Sequence, residues 1–290
     1  MDFAKSIEGW TALSKTDCDM KDIESLLNTV YFSMPIPTLT IAPPFLARAR
    51  INKSNEIFSH KGHLSYNPDP ATIPPQRGNY AGQQVFYAAL PASNSEHGIG
   101  HCQNTAMLET VWEYVIDWSK ARQYMTISRW PVTRPLNVCM LSFAPETWEK
   151  NEDFKRAAEF HKNFIIKKDS EKSSRYIEAL EYMSRIFFQK DGKRDCYKIS
   201  AAYFNFVDRA MKANNMPFDG LVYPSANTGG AGMNIVLRKD VIDDGSIQFD
   251  FAMMMAMQRD PNNPKHIMFP PASSEEVPDA DGRFFFKNVW

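Results

Sequence analysis

A turn, a short apolar run and a helical segment follow one another within residues 77–109, and this succession restricts the folds that the chain can adopt. The turn RGNYAG holds two glycines, which let backbone N–H groups approach a ligand closely. The run VFYAA is typical of a buried strand. A helix is then expected to begin at Asn104, with Glu109 near its first turn. One segment therefore supplies the guanidinium of Arg77, the phenol of Tyr87 and the carboxylate of Glu109 from three successive elements.

These three side chains have the chemistry that a nucleotide with a cleavable N-glycosidic bond requires. Arginine binds phosphate with a planar fork of donors, and tyrosine offers a face for a flat heterocycle. A carboxylate stabilises an oxocarbenium-like sugar cation. The same spacing also fits an exposed arginine, a core tyrosine and a glutamate favoured by the dipole of its helix. Spacing alone does not decide between these two interpretations.

The rest of the chain predicts a mixed α+β domain. Strands are expected at FLARARI, at LNVCMLSF, in the LVY of FDGLVYPSA and at the NIVL that follows a glycine-rich loop. The segment 145–190 predicts two helices, with Phe160 on the buried side of the first and Ser170 as the cap of the second. A further helix is expected from Tyr197 to Lys212. The glycine-rich loop lacks a Lys followed by Ser or Thr, which excludes a P-loop.

The motifs and their order resemble the RES domain family, which is named for Arg, Glu and Ser residues. The matching motifs are FLARARI, QRGNYAG, VFYAA, TAMLE and FDGLVYPSA, and they span roughly residues 44–241. Members resemble ADP-ribosyltransferase toxins in fold. Characterised members degrade NAD+ as phosphorylases or glycohydrolases, often as toxins paired with an antitoxin. The resemblance implies an α+β fold with an ADP-ribosyltransferase-like split mixed β-sheet and NAD+ as the substrate.

The resemblance also assigns roles to individual residues. In this interpretation Arg77, together with Arg48, holds the pyrophosphate, and Tyr87 stacks on the nicotinamide or its ribose. Glu109 stabilises the cation as nicotinamide leaves, and phosphate or water attacks the anomeric carbon. The further substrate-binding positions that match are Asn79, Ser200, Ser225 and Asn234. No metal or cofactor is needed, with inorganic phosphate as the candidate co-substrate.

Three assignments have alternatives. Arg50 is the competing register for Arg48 in its strand. Glu96 and Glu113 compete with Glu109, because the loop before Glu109 is longer than is usual in the family. The hydroxyl of Ser200 can equally bond the backbone of its own helix. Two other functions also stay open: an ADP-ribosyltransferase that modifies a macromolecule, and a catalytically inactive nucleotide-binding module.

The composition of the chain limits which binding partners and which cellular compartment are expected. The formal net charge of the 290 residues is −1, so nothing electrostatic favours nucleic acid or an anionic membrane. No apolar run approaches the roughly 20 residues of a membrane span, and the first residues do not read as a secretory signal. The four cysteines form no C-x-x-C pair, which disfavours a zinc site or a disulfide framework. A cytoplasmic protein is expected.

The domain organisation is predicted in three parts. Residues 1–40 form an N-terminal helical appendage, residues 41–260 form the RES-like catalytic domain, and residues 261–290 form a C-terminal surface extension. The segment 145–190 is a helical insertion that decorates the core. This insertion is a candidate contact surface for a partner protein, such as an antitoxin, or for a second copy of the chain.

Overall fold

The computed structural model describes residues 20–31, 34–53, 56–93, 101–115, 123–189, 194–260, 262, 267–273 and 275–286. Its strands are β1 (Thr38–Ile41), β2 (Phe45–Ile51), β3 (Val85–Leu90), β4 (Gln123–Pro131), β5 (Leu136–Met140), β6 (Gly220–Pro224), β7 (Met233–Arg238), β8 (Phe251–Arg259) and β9 (Ile267–Met268). Its α-helices are α1 (Met20–Tyr31), α2 (Lys61–Leu64), α3 (Cys102–Val115), α4 (Glu152–Lys168), α5 (Ser173–Phe188), α6 (Arg194–Ala213) and α7 (Lys239–Asp243).

The strands lie side by side in the order β1-β5-β6-β7-β3-β2-β4-β8-β9, and the two-residue β9 pairs with the edge strand β8. The β5–β6 pair is parallel, and the other pairs are antiparallel. The expected strands at FLARARI, VFYAA, LVY and NIVL are all present. The strand expected at LNVCMLSF ends earlier, at Met140. The mixed α+β class is therefore confirmed.

The sheet is divided between β2 and β3. Strand β2 pairs with β4 along its whole length, from Phe45↔Pro131 to Ile51↔Met125. By contrast, β2 and β3 share the single pair Ala47↔Ala89 and then diverge. Two half-sheets result, β1-β5-β6-β7-β3 on one side and β2-β4-β8-β9 on the other, joined at one point.

Helices cover both faces of this divided sheet. On one face α1, α5 and α6 pack together over β6, β7 and β3, in a core that includes Leu27, Leu180 and Tyr203. Helix α3 packs on the same face beside them, with Cys102 and Ala106 against Ala47 and Ala89. On the opposite face, Phe154 of α4 and Phe284 lie in the second core cluster. We refer to the face that carries α3, α5 and α6 as the α3 face.

The segments at the two ends of the chain contribute to the core. In α1, Ile23, Leu27 and Tyr31 are buried, and the Tyr31 hydroxyl donates to the carbonyl of Ala179 at 2.8 Å. Residues 38–41 form β1 at the sheet edge, and Phe284 is 2% exposed. The described parts of 1–40 and 261–290 are thus integral to the packing. Among the described residues, no helix has the length and apolarity that a membrane crossing requires.

Helix boundaries differ from expectation at three places. Helix α3 begins at Cys102, so Glu109 lies beyond its first turn, which contains no acidic residue. Helix α5 has Lys172 at its N-cap position without a side-chain cap, and the prediction that Ser170 caps it is wrong. Phe160, which was expected to be buried, is 58% exposed, because it lies on the outer side of α4. The sequence also favours Asp19 as a cap of the helix predicted in residues 1–40, but this residue lies outside the described residues.

Candidate functional site

The carboxylate of Glu109 is held by three neutral hydrogen-bond donors. Ser225 Oγ donates to Oε1 at 2.5 Å, and Asn234 Nδ2 donates to the same oxygen at 3.0 Å. Asn227 Nδ2 donates to Oε2 at 2.9 Å. Within the described part of the chain Glu109 forms no ion pair. The carboxylate therefore keeps a fixed orientation while its negative charge is not neutralised by a protein cation.

Sheet register explains why two of these donors meet. Asn234 lies on β7 opposite Tyr223 of β6, and Ser225 follows Pro224 at the end of β6. Residues directly opposite in antiparallel strands point to the same face. Asn234 is also opposite Ala89, which packs against α3. The side chain of Asn234 therefore points to the α3 face, where Glu109 reaches down from the helix.

The loop between β6 and β7 brings the third donor. The Ser225 Oγ accepts from the Thr228 N–H at 3.2 Å, and Thr228 Oγ1 accepts from the Gly232 N–H at 2.8 Å. A Cβ atom on Gly232 would lie 2.1 Å from Oγ1 of Thr105, so glycine is required for the close approach of α3 to this loop. The loop and the helix are therefore packed against each other, with Asn227 beside Glu109.

Tyr87 fixes the turn that carries Arg77. The Tyr87 hydroxyl accepts from the Gly78 N–H at 2.7 Å and donates to Asn79 Oδ1 at 2.8 Å. The amide group of Asn79 also donates to the carbonyls of Pro74 and Tyr80 at 3.0 and 2.8 Å, and Asn79 is 1% exposed. Asn79 therefore organises the turn, and both its amide hydrogens are used within the protein. Burial raises the pKa of Tyr87 far above the ordinary value, so the phenol is neutral.

Arg77 is bonded to the end of a helix. Its Nη1 donates to the carbonyl of Phe187 at 2.8 Å, and its Nη2 donates to the carbonyl of Gln189 at 2.6 Å. The guanidinium carbon lies 5.4 Å from the ring centroid of Tyr197. A cation at the C-terminus of α5 complements the helix dipole. Arg77 thus fastens the loop before β3 to α5, whether or not it also binds a ligand.

Tyr223 lies among these groups. Its pKa is raised well above the ordinary value by burial, and the neighbouring Tyr87 hydroxyl and Glu109 carboxylate raise it further. The guanidinium of Arg77 acts in the opposite direction, and Tyr197 also contributes. All four groups are thus close enough to Tyr223 to act on it electrostatically. The three residues predicted to be catalytic therefore share the α3 face, although sequence reasoning gave no role to Tyr223 or Tyr197.

Arg48 points to the other face of β2 and lines the gap between the half-sheets. Its neighbour Ala47 faces α3, whereas the Arg48 guanidinium lies 5.0 Å from the ring centroid of Phe86. Arg48 Nε donates to the carbonyl of Leu64 at 2.9 Å, and Nη1 donates to the carbonyl of Tyr87 across the gap. Burial and the nearby Arg50 lower the pKa of Arg48 to about 10, so it stays charged at neutral pH.

A cavity of about 160 Å³ opens at this gap. Among the residues that the structure describes, its lining contains two arginines, four side-chain amides and no carboxylate: Arg48, Arg50, Asn67, Gln76, Asn79 and Gln83, with Ile73, Pro74, Val85 and Tyr87. Arg48 and Arg50, the two alternatives for the arginine predicted to bind the substrate, therefore line the same cavity. The guanidinium of Arg50 also donates to the carbonyl of His63.

The remaining predicted residues fall outside this group. The Ser200 hydroxyl donates to the carbonyl of Tyr197 at 3.3 Å and is buried in α6, as the structural alternative expected. Glu96 and the side chain of Glu113 lie outside the described residues. A search of the described residues finds no cluster of three His, Cys, Asp or Glu side chains that could hold a metal ion.

Asn227 is the contact residue that sequence reasoning missed. The sequence does place an amide two positions after Ser225, but only the fold shows that its loop turns back towards α3. A comparison of the sequence with protein-family models and with curated proteins finds no match. The site is therefore defined by the contacts of its own residues.

Proposed function

We propose that this protein consumes NAD+ by cleaving the bond between nicotinamide and ribose, with phosphate or water as the acceptor. The observation that carries the proposal is the Glu109 carboxylate, oriented by three neutral donors on the face that also holds Tyr87 and Arg77. Such a carboxylate is suited to stabilising a cation that develops beside it, because no cation among the described residues neutralises it in advance.

In the proposed reaction Glu109 acts on the ribose. The C–N bond breaks, and both its electrons go to the ring nitrogen, so that the pyridinium leaves as neutral nicotinamide. Positive charge develops on the ribose, where Glu109 stabilises it. An oxygen of phosphate or water then bonds to the anomeric carbon, and water loses a proton in this step. Ser225 and Asn234 act by holding the carboxylate in place rather than by contacting the substrate.

Two regions supply binding groups for the rest of the dinucleotide. The cavity at the gap between β2 and β3 carries Arg48 and Arg50 without an acidic residue in its lining, which suits the pyrophosphate. Tyr87 lines the same cavity, and its hydroxyl bonds the turn that carries Arg77, so this residue lies between the two regions. The divided sheet is also what supports assigning an ADP-ribosyltransferase-like fold to this chain. Arg77 contributes positive charge near Tyr223 and holds the loop before β3.

The decisive test is mass spectrometry of the products formed from NAD+ with and without inorganic phosphate. Release of nicotinamide with ADP-ribose, or with its phosphorylated form when phosphate is added, is the expected result. Glu109→Gln should lower kcat by about 100-fold or more, because it removes the negative charge while keeping size and shape. Glu178→Gln, at an exposed position of α5, is the matched control and should leave the rate unchanged.

Two results would refute the proposal. Transfer of labelled ADP-ribose to protein or nucleic acid, without free product, would assign the site to an ADP-ribosyltransferase. Binding of NAD+ by the wild type and by Glu109→Gln, with NAD+ intact in both, would identify a non-catalytic nucleotide-binding module.

A further inference from the structure

We infer that Asn227 is a positioning residue for Glu109, and that the segment 145–190 holds Asn227 in place through Asn151. The inference rests on the proposed function, because it assigns to this segment a role in the same site. The three donors divide unequally between the two carboxylate oxygens of Glu109. Oε1 accepts from Ser225 and Asn234, whereas Asn227 is the donor to Oε2 within the described residues.

The donor to Oε2 lies in a loop, whereas strands of the sheet hold the two donors to Oε1 in place. Asn234 lies within β7, and Ser225 directly follows β6, so the sheet positions both. Asn227 lies in the loop after β6, where no strand ladder fixes the backbone. Hydrogen bonds within the loop, such as the one from the Gly230 N–H to the carbonyl of Ser225 at 2.8 Å, shape its backbone, and contacts from outside the sheet hold it beside α3.

Those contacts come from the start of the helical segment. The Asn151 side chain is fully buried, and its Nδ2 donates to the carbonyl of Ala231 at 3.0 Å. Lys150 Nζ donates to the carbonyl of Gly229 at 3.0 Å. A Cβ atom on Gly230, whose φ is +92°, would lie 2.9 Å from Cγ2 of Thr147. The loop is thus enclosed between α3 on one side and residues 147–151 on the other.

Asn151 has two separable functions. Its Oδ1 accepts from the N–H groups of Asp153 and Phe154 and thereby caps α4. Its Nδ2 holds the loop. Asn151→Asp retains an oxygen that caps the helix about as well, but it loses the donor to Ala231. This substitution therefore separates support of the loop from stability of the helix.

Asn227 donates to the carboxylate of Glu109 and in this inference acts on the reaction only through it, so its loss should affect kcat more than KM. Without its donor to Oε2, the carboxylate plane can rotate away from the developing cation. Asn227→Ala, which removes the donor without placing a second carboxylate beside Glu109, should lower kcat for NAD+ cleavage by about 10- to 100-fold. Asn151→Asp should act in the same direction by about 10-fold. In both variants KM should stay within about twofold of the wild type.

The control is Asn163→Asp, an exposed position on the same helix as the Asn151 cap, which should change neither parameter. A rise in KM with unchanged kcat in Asn227→Ala would overturn the inference, because it would place Asn227 on the substrate. Unchanged kcat in Asn151→Asp would overturn the part assigned to segment 145–190.

A second measurement does not depend on NAD+ turnover. The free energies of unfolding of Asn227→Ala, Glu109→Ala and the double variant form a cycle that can be measured in urea. Non-additive effects are expected from the contact between the two side chains, whereas additive effects would overturn the inference whatever the activity. Non-additivity together with an inactive wild type would refute the proposed function and still support the positioning of Glu109 by Asn227.

Discussion

The hydroxyl of Ser225 lies 2.5 Å from Oε1 of Glu109, although the two residues are 116 positions apart in the chain. The same hydroxyl oxygen accepts from the N–H of Thr228, so one atom joins the carboxylate on α3 to the first turn of the β6–β7 loop. Orientation of the acid and conformation of the loop are therefore linked through Ser225.

Ser225→Ala tests this link. The substitution removes one donor to Oε1 and the acceptor for Thr228, so kcat for NAD+ cleavage should fall by about 10- to 100-fold, in line with about 1.5–3 kcal/mol for a hydrogen bond to a charged group. Steady-state kinetics measure the effect. Ser174→Ala, at an exposed position of α5, should behave as the wild type. Full activity in Ser225→Ala would show that Asn227 and Asn234 are sufficient to hold Glu109.

Arg77→Ala tests the bonds between the loop before β3 and α5. Two hydrogen bonds to the carbonyls of Phe187 and Gln189 are lost, so the free energy of unfolding in urea should fall by about 1–3 kcal/mol. If Arg77 also binds the substrate, the affinity for NAD+ falls in addition. Arg156→Ala, on the exposed side of α4, is the control. A less stable variant with unchanged NAD+ affinity would limit Arg77 to its structural role.

Two bidentate ion pairs differ in how deeply they are buried, so the effect of burial on the strength of an ion pair can be measured. Arg134 donates to both carboxylate oxygens of Asp219 at 2.9 and 2.8 Å, and the Asp219 side chain is 9% exposed. Arg129 also donates two bonds to Asp250, from Nε and Nη2 at 3.0 Å each, but both side chains are at least 36% exposed. Arg134→Ala should cost about 2–3 kcal/mol, because it leaves a nearly buried carboxylate without its cation.

Arg129→Ala should cost only about 0–1 kcal/mol, as is usual for an exposed pair. Urea unfolding of the two variants measures both effects. Equal losses would show that burial of Asp219 does not determine the strength of its pair.

His161 should make stability depend on pH. Its ring is 4% exposed and contacts the carbonyl of Thr38 through Nε2 at 3.2 Å, and burial lowers its pKa below the ordinary value. Below about pH 6.5 the unfolded chain therefore binds more protons at this residue than the folded chain. The free energy of unfolding should consequently fall as the pH drops from 7.5 to 5.5. His161→Gln, which keeps a donor for Thr38, should show a smaller fall, and an equal fall in both proteins would assign the effect to other groups.

Sequence patterns located the strands that carry the site. The apolar runs around Tyr87 and Tyr223 are short, are bounded by turns and became β3 and β6, because a buried strand needs only local composition to be recognised. The choice of Glu109 depended on its place in a helix that follows β3, and the structure brings it to Ser225 and Asn234.

Contacts that join distant segments could not be predicted. The partners of Arg77 lie about 110 positions later, at the end of a helix whose packing no local pattern specifies. Strand β1 was not predicted, because its four residues lie between prolines. Phe160 follows helical spacing, but spacing does not reveal whether the neighbouring surface is covered. For the same reason, the role of Asn227 emerged only from the folded loop.

The single pair Ala47↔Ala89 has a mechanical consequence. Bending one half of the sheet against the other strains few backbone hydrogen bonds at the seam, whereas the ladders on either side stay intact. The seam therefore has fewer paired residues than any other pair of neighbouring strands described, and Arg48 crosses it by donating from β2 to the carbonyl of Tyr87. A phosphate that binds the Arg48 guanidinium in place of the Tyr87 carbonyl would therefore remove a side-chain bond that joins the two half-sheets.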